Sequence, residues 1–203
     1  MTRLLLIRHG ETDWNREGRI QGHTDLPLNE TGRRQAERLA GRLAGWPIAA
    51  LYSSDLARAA ESARILGRAI ARDPVLDAAW RERSGGAVEG LVDPEIRERF
   101  PEVWTEMRSR RFWTAPRAEP VESVRDRLLG AYHAVLERHP DQTVAVVSHG
   151  FALRLLVAQV LGLPIDLPTA FSVGGNTGLT RLEVDERGAV VTLLNDTSHL
   201  EDP

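Results

Sequence analysis

Leu4-Leu5-Leu6-Ile7 runs directly into Arg8-His9-Gly10-Glu11-Thr12, four consecutive apolar residues followed without a spacer by a cation and an imidazole. A run this short, with no polar alternation, suits a strand buried on both faces of a parallel sheet. The pattern recurs twice: Ile48 to Tyr52 leads into Ser53-Ser54-Asp55, and Val144 to Val147 into Ser148-His149-Gly150. Helical stretches separate these runs. Gly32 to Ala44 places Ala36, Leu39, Ala40 and Leu43 at i, i+3, i+4, i+7 spacing, and Ser53-Ser54-Asp55 offers N-cap candidates for a helix to about Ala71. That second helix carries Leu56, Ala59, Ala60, Ala63 and Leu66 on one face, and Val121 to Arg138 and Phe151 to Leu161 bracket the third apolar run. Thr177 to Val184 and Val190 to Leu194 read as two further strands joined by a turn at Asp185 to Gly188.

Strands alternating with helices of this length predict an α/β fold: a doubly wound, mostly parallel sheet with helices on both faces. Residues of about 80–120 fit that alternation poorly. They carry Pro94, Pro101, Pro116 and Pro120, three of the five Trp, and a short helical stretch at Glu95 to Phe100, which predicts a small embedded helical cap. The expectation is one domain over residues 1–203 with a cap insertion at about 80–120.

Composition removes whole classes of chemistry. With 42% hydrophobic and 27% charged residues the chain has ordinary globular composition, and no apolar run approaches the ~20 residues of a membrane span. The amino terminus is too short in apolar residues for a signal peptide, so a cytoplasmic location is expected. Cys is absent, which excludes thiolate nucleophiles, thiolate metal sites and disulfides. Lys is absent too, so all 26 basic residues are Arg, and a P-loop or Schiff-base lysine is excluded. A net charge of −3 lacks the basic footprint of a nucleic-acid binder.

Ligands of open α/β sheets sit at the carboxyl ends of the strands, where the three polar clusters fall. If those strands are neighbours, Arg8, His9, Arg58 and His149 converge. Two guanidinium forks and a helix N-terminus near Arg58 suit phosphate oxygens. A neutral His9 between two cations has its pKa pushed down and keeps a nucleophilic lone pair. A carbonyl accepting from its other nitrogen fixes the tautomer. The six His residues, His9, His23, His133, His139, His149 and His199, show no close metal-ligand pair, so no metal or other cofactor is expected.

Arg8-His9-Gly10-Glu11-Thr12 with Asn15, Ser53 to Ala59, Arg81-Glu82 ahead of Gly86 and Glu89-Gly90, and Ser148-His149-Gly150 resemble, in this order, the histidine phosphatase superfamily, also called phosphoglycerate mutase-like. The resemblance spans about Arg3 to His199. It implies that His9 becomes phosphohistidine, that Arg8, Arg58 and His149 with Gly150 bind the phosphoryl group, and that Asn15, Gln21 and Gly22 line the same pocket. Glu82 matches the proton donor. Relatives often carry aromatic residues at the places of Gly85 and Val88, and their absence predicts a less firmly packed Glu82 loop. Arg108, Arg110 and Arg111 are candidates to meet anionic substrate groups, and Trp80, Trp104 and Trp113 either wall the substrate pocket or pack the cap. Asn195 to Leu200 resembles a carboxyl-terminal segment of phosphatase members, read here as structural.

The resulting expectation is a phosphomonoesterase acting on a small phosphorylated metabolite, without nucleic-acid or membrane partners and with room for a homodimer. A bisphosphoglycerate-dependent phosphoglycerate mutase is the alternative. Mutases usually have a Thr-Gly-Trp stretch where this chain reads Ile20-Gln21-Gly22-His23-Thr24-Asp25, and a Lys where it has Leu91-Val92-Asp93. Phe112-Trp113-Thr114-Ala115-Pro116 followed by Glu122 is similar to the broad-specificity phosphatase branch. A non-catalytic phospho-ligand binder on the same scaffold is the second alternative.

Overall fold

The computed structural model describes residues 1–109, 112–165 and 171–201. It holds a six-stranded sheet in the order β3-β2-β4-β1-β5-β6, with β1 at Thr2–Arg8, β2 at Ile48–Ser53, β3 at Pro74–Leu76, β4 at Thr143–Ser148, β5 at Leu179–Asp185 and β6 at Gly188–Asp196. The first four in sequence pair in parallel, while β5 and β6 continue the sheet antiparallel. The mostly parallel α/β architecture is therefore as expected. Beyond the sequence reading, the short edge strand β3 and the five-residue helix α1 at Asp13–Glu17 are additions.

The apolar runs are continuous because both faces are covered. Leu4 and Leu6 of β1, with Val144 and Val146 of β4, pack into a core with Val124, Leu128, Leu153 and Leu156 of α6 (Val121–Arg138) and α7 (Gly150–Val160). Leu5, Ile7, Ala145 and Val147 face the other way, onto Ala36, Leu39 and Leu43 of α2 (Glu30–Leu43) and Ala59, Ala63 and Leu66 of α3 (Ala57–Ile70). All four β1 residues are fully buried, worth ~1.5–3 kcal/mol each.

Helix starts deviate from the expected ones, for a local reason at α2 and a tertiary one at α3. The helix α2 begins at Glu30 because Asn29 caps it, its side chain accepting from Gly32 N at 2.8 Å. The Ser53-Ser54-Asp55 triplet does not cap α3 directly. Its N-cap is Leu56, and the Asp25 carboxylate, from a loop 32 residues away, accepts from Ala57 N at 2.6 Å.

Between β3 and α6 the chain forms α4 (Asp93–Arg99) and α5 (Pro101–Arg108), with an apolar cluster of their own around Val88, Ile96, Val103 and Ala115. Among the described residues no helix is long and apolar enough to cross a membrane.

Candidate active site

The strand order makes β2, β4 and β1 neighbours, with Arg8 beside Ser148 and Ser53 beside Val147 in register. Their carboxyl ends therefore bring Arg8, His9, Ser54, Arg58 and His149 to one place. The tight junction below depends on glycine: a Cβ on Gly10 would lie 2.4 Å from the Gly32 carbonyl oxygen, so only glycine lets the end of β1 touch α2.

His9 is buried, and its Nδ1 lies 2.7 Å from the Gly10 carbonyl oxygen. A carbonyl only accepts, so Nδ1 carries the proton and Nε2 keeps the lone pair. Burial, then the charges of Arg58 and Arg8, hold its pKa well below the ordinary histidine value. The His9 carbonyl is held in turn by Thr177 N and by Asn176 Nδ2 at 3.1 Å.

Arg58 is fully buried, giving Nη1 to the Thr24 carbonyl at 2.9 Å and Nη2 to the Gly22 carbonyl at 2.8 Å. Burial lowers its pKa to about 10, which leaves it charged at neutral pH. Arg8 gives Nη1 to the Gly174 carbonyl. What remains is informative: Arg8 Nε, Arg58 Nε and His149 Nδ1 are buried without a partner among the described residues, as is Gln21 Oε1. Buried donors are almost always satisfied, so unspent guanidinium donors around a neutral imidazole describe an anion site. They border a cavity of about 220 Å³ whose walls include Arg8, His9, Asn15, Gln21, Gly22, Arg58 and Glu82.

The remaining sequence candidates divide. His149 and Gly150 are not on that wall. The His149 ring stands behind His9, with centroids 5.1 Å apart and Nε2 2.8 Å from Ser54 Oγ, and Gly150 opens α7. Asn15 spends Oδ1 on Thr12 N, which closes a capping box on α1. Gly22 needs to be glycine, since its φ is +52° and a Cβ would meet Glu89 Oε1 at 2.1 Å. Trp113 lines the cavity, Trp80 is core, and Trp104 of α5 stacks with Arg97 of α4 and Arg108 of α5. Arg108 is thus an exposed residue at the end of α5, and Arg110 and Arg111 lie outside the described residues. His199 binds Thr177 Oγ1 at 2.9 Å, which supports the loop behind His9. Among the described residues no three His, Asp or Glu side chains gather as a metal set.

The Glu82 loop corrects the expectation of loose packing. Its carboxylate accepts from Arg83 N at 2.9 Å, Ala152 N at 3.0 Å and Phe151 N at 3.1 Å, so it sits on the N-terminus of α7. Its carbonyl accepts from Arg127 Nη2 and His23 Nε2, each at 2.8 Å. Arg127 also holds the carbonyls of Ala79 and Arg81 and pairs through two nitrogens with Glu119. Polar bracing replaces the aromatic support. Sequence reasoning missed Arg127, Glu119 and Asn176, and it named Glu89 only as part of the Glu89-Gly90 motif, without a role. The Glu89 carboxylate accepts from His23 N, Thr24 N, Thr24 Oγ1, Ser84 Oγ and Gly85 N, tying the Gln21 loop to the Glu82 loop.

Comparison with known proteins now bears on this geometry. Residues 4–197 match the family model of the histidine phosphatase superfamily, branch 1.

The chain belongs to the histidine phosphatase superfamily.

This histidine phosphatase is 34% identical over 210 residues to a probable phosphoglycerate mutase, GpmB, of Cronobacter sakazakii, covering 100% of this chain and 97% of that one. It is 33% identical to phosphoserine phosphatase 1 of Hydrogenobacter thermophilus, covering 98% and 95%. The solved structure of YhfR from Bacillus stearothermophilus superposes with a TM-score of 0.92 at 35% identity, covering 99% of this chain and 100% of that one. Family and phosphatase relatives together make this chain a phosphatase enzyme.

Two buried neutral imidazoles have a consequence for this histidine phosphatase in acid. Burial, followed by the neighbouring Arg58 charge, lowers the pKa of both His9 and His149. The unfolded chain therefore takes up protons below about pH 6.5 that the folded chain refuses. Their contribution is complete above pH 6.5 and is lost as pH falls, by at most about 2.7 kcal/mol per pH unit for the pair. Urea unfolding midpoints of the wild type at pH 7.5, 6.5 and 5.5 should show the decline. The double variant His9→Gln, His149→Asn should flatten it, and an unchanged slope in that variant would contradict the account.

Proposed function

We propose that the protein is a phosphomonoesterase working through a phosphohistidine on His9, acting on small phosphate esters. In the first half-reaction His9 Nε2 attacks phosphorus, the P–O bond to the substrate breaks in line, and Glu82 gives its proton to the departing alkoxide oxygen. In the second, a water gives a proton to Glu82, its oxygen attacks the same phosphorus, and the P–N bond breaks, returning inorganic phosphate and free His9. Arg8 and Arg58, with His149 behind, neutralise the three phosphoryl oxygens. Asn15, Gln21 and Gly22 complete the surroundings of the bound group, with Gly150 packed beside Arg8 Nε.

One observation supports this reading: His9 has Nδ1 committed to the Gly10 carbonyl, while the adjacent Arg8 Nε and Arg58 Nε have no partner among the described residues. The nucleophile and the charge that would stabilise its transition state are thus both preorganised. Positive charge from arginine does here what a metal does in other phosphatases.

The test is phosphate release from a panel of esters, 3-phosphoglycerate included, with and without EDTA. Release from several esters, undiminished by EDTA, is the expected result. Conversion of 3-phosphoglycerate to its 2-isomer instead of glycerate would favour the mutase alternative. Phosphate binding without release from any ester would leave a non-catalytic binder.

A further inference from the structure

Glu89 takes no part in bond making and is not on the cavity wall, yet its half-buried carboxylate gathers five donors. Oε1 accepts from Gly85 N at 2.8 Å and from His23 N and Ser84 Oγ at 3.0 Å each. Oε2 accepts from Thr24 Oγ1 at 2.8 Å and Thr24 N at 3.0 Å. Burial acts to raise its pKa, but the donors from His23, Thr24, Gly85 and Ser84 outweigh that and hold the carboxyl below the ordinary glutamate value. The charged form is therefore the one these loops close around.

The donors come from two places with different support. Ser84 and Gly85 belong to a braced turn, since Ser84 exchanges hydrogen bonds with Glu119, which pairs in turn with Arg127. His23 and Thr24 belong to an irregular segment whose other ties are few: Thr24 N also meets the Gln21 carbonyl, and His23 Nε2 meets the Glu82 carbonyl. That weaker segment is the one that holds Arg58. The Gly22 and Thr24 carbonyls, on either side of the amides given to Glu89, accept from Arg58 Nη2 and Nη1 at 2.8 and 2.9 Å. A guanidinium is planar and rigid, so pinning two of its nitrogens sets the direction of the third. The third is Nε, buried and without a partner among the described residues.

We propose that Glu89 is a positioning residue of the phosphoryl site: its carboxylate fixes the Gly22 and Thr24 carbonyls against the Ser84 and Gly85 turn, and so sets the direction in which Arg58 Nε meets the bound anion. This rests on the phosphomonoesterase reading only for what the anion is. Without the carboxylate Arg58 keeps its charge and loses its aim.

The test measures the dissociation constant of inorganic phosphate, and kcat/KM for an aryl phosphate, in wild type, Thr24→Val and Glu89→Gln. Glutamine keeps an oxygen for His23, Ser84 and Gly85 but sets an NH2 group against the Thr24 amide, donor against donor. Glu89→Gln should weaken phosphate binding by ~10–100-fold and lower kcat/KM at least as far, the scale of one misdirected charge-assisted hydrogen bond. Thr24→Val removes only the hydroxyl bond and should fall between the two. A purely structural role would lower the melting temperature and leave both constants of the folded protein within twofold of wild type, which would overturn the proposal. A double-mutant cycle makes the distinction sharper: in an Arg58→Met background Glu89→Gln should cost less than twofold, because there is no guanidinium left to aim. An equal loss with and without Arg58 would overturn the proposal as well. Should Glu89→Gln or Arg58→Met fail to fold, Thr24→Val decides alone, with a loss of at least threefold in phosphate affinity expected and an unchanged affinity contradicting the role. Phosphate binding that weakens as expected in a protein that hydrolyses no ester would uphold Glu89 and remove the phosphomonoesterase reading instead.

Discussion

His9→Ala is expected to remove turnover on every phosphate ester, by at least ~10⁴-fold, the scale seen when an enzyme loses its covalent nucleophile. The reason is positional. His149 has its Nε2 on Ser54 Oγ and is not on the cavity wall, and the His23 imidazole is held on the Glu82 carbonyl. Inorganic phosphate should still bind, because Arg8 and Arg58 keep their idle donors. Rapid quenching with a ³²P-labelled ester should trap an acid-labile, alkali-stable label on the wild type and none on the variant. Label on any other residue, or turnover within tenfold of wild type, would sink the nucleophile assignment.

Glu82→Gln separates proton transfer from binding and is expected to have the second-largest effect. General acid catalysis contributes ~10²–10⁴-fold, and that contribution is needed only when the leaving oxygen is a poor one. Hydrolysis of an alkyl phosphate should therefore fall by that amount. Phosphohistidine formation from an aryl phosphate with an acidic leaving group should fall by less than ~10-fold. Inhibition by inorganic phosphate should scarcely change. The glutamine keeps one oxygen for the amides of Arg83 and Ala152 and loses only the bond from Phe151 N, while the loop stays gripped by Arg127 and His23. Equal losses on alkyl and aryl substrates in single-turnover measurements would demote Glu82 to a positioning residue.

The bracing of Glu82 shows why one part of the site was not legible in sequence. Local reading at Gly85 and Val88 found no aromatic packing and predicted a loose loop. The support comes from Arg127 and Glu119, 45 and 37 residues away, through hydrogen bonds to backbone carbonyls and amides. Such partners leave no local signature, because any carbonyl can be gripped by any guanidinium that the fold brings near. Asp25 as the cap of α3 and Asn176 behind His9 are invisible for the same reason. Arg83 was equally opaque. Beside Arg81 and Glu82 it reads as part of a solvated charged stretch, whereas Arg81 pairs at the surface with Asp55 and Arg83 turns inward between Trp113 and Phe151.

The sequence by itself determined the α/β alternation, because a strand covered on both faces must be apolar at every position and Leu4 to Ile7 can be nothing else. It made the nucleophile candidate legible as well: His9 follows a buried strand directly beside Arg8, and the resemblance to the histidine phosphatase superfamily implies its role. Tertiary structure decided what the polar groups do with their donors. Hydrogen-bond satisfaction is a property of all neighbours in space, so only the fold could show that Arg58 spends two nitrogens on the Gly22 and Thr24 carbonyls and keeps one idle. That same accounting placed His149 behind His9 and left Arg83 Nη1 without a partner among the described residues.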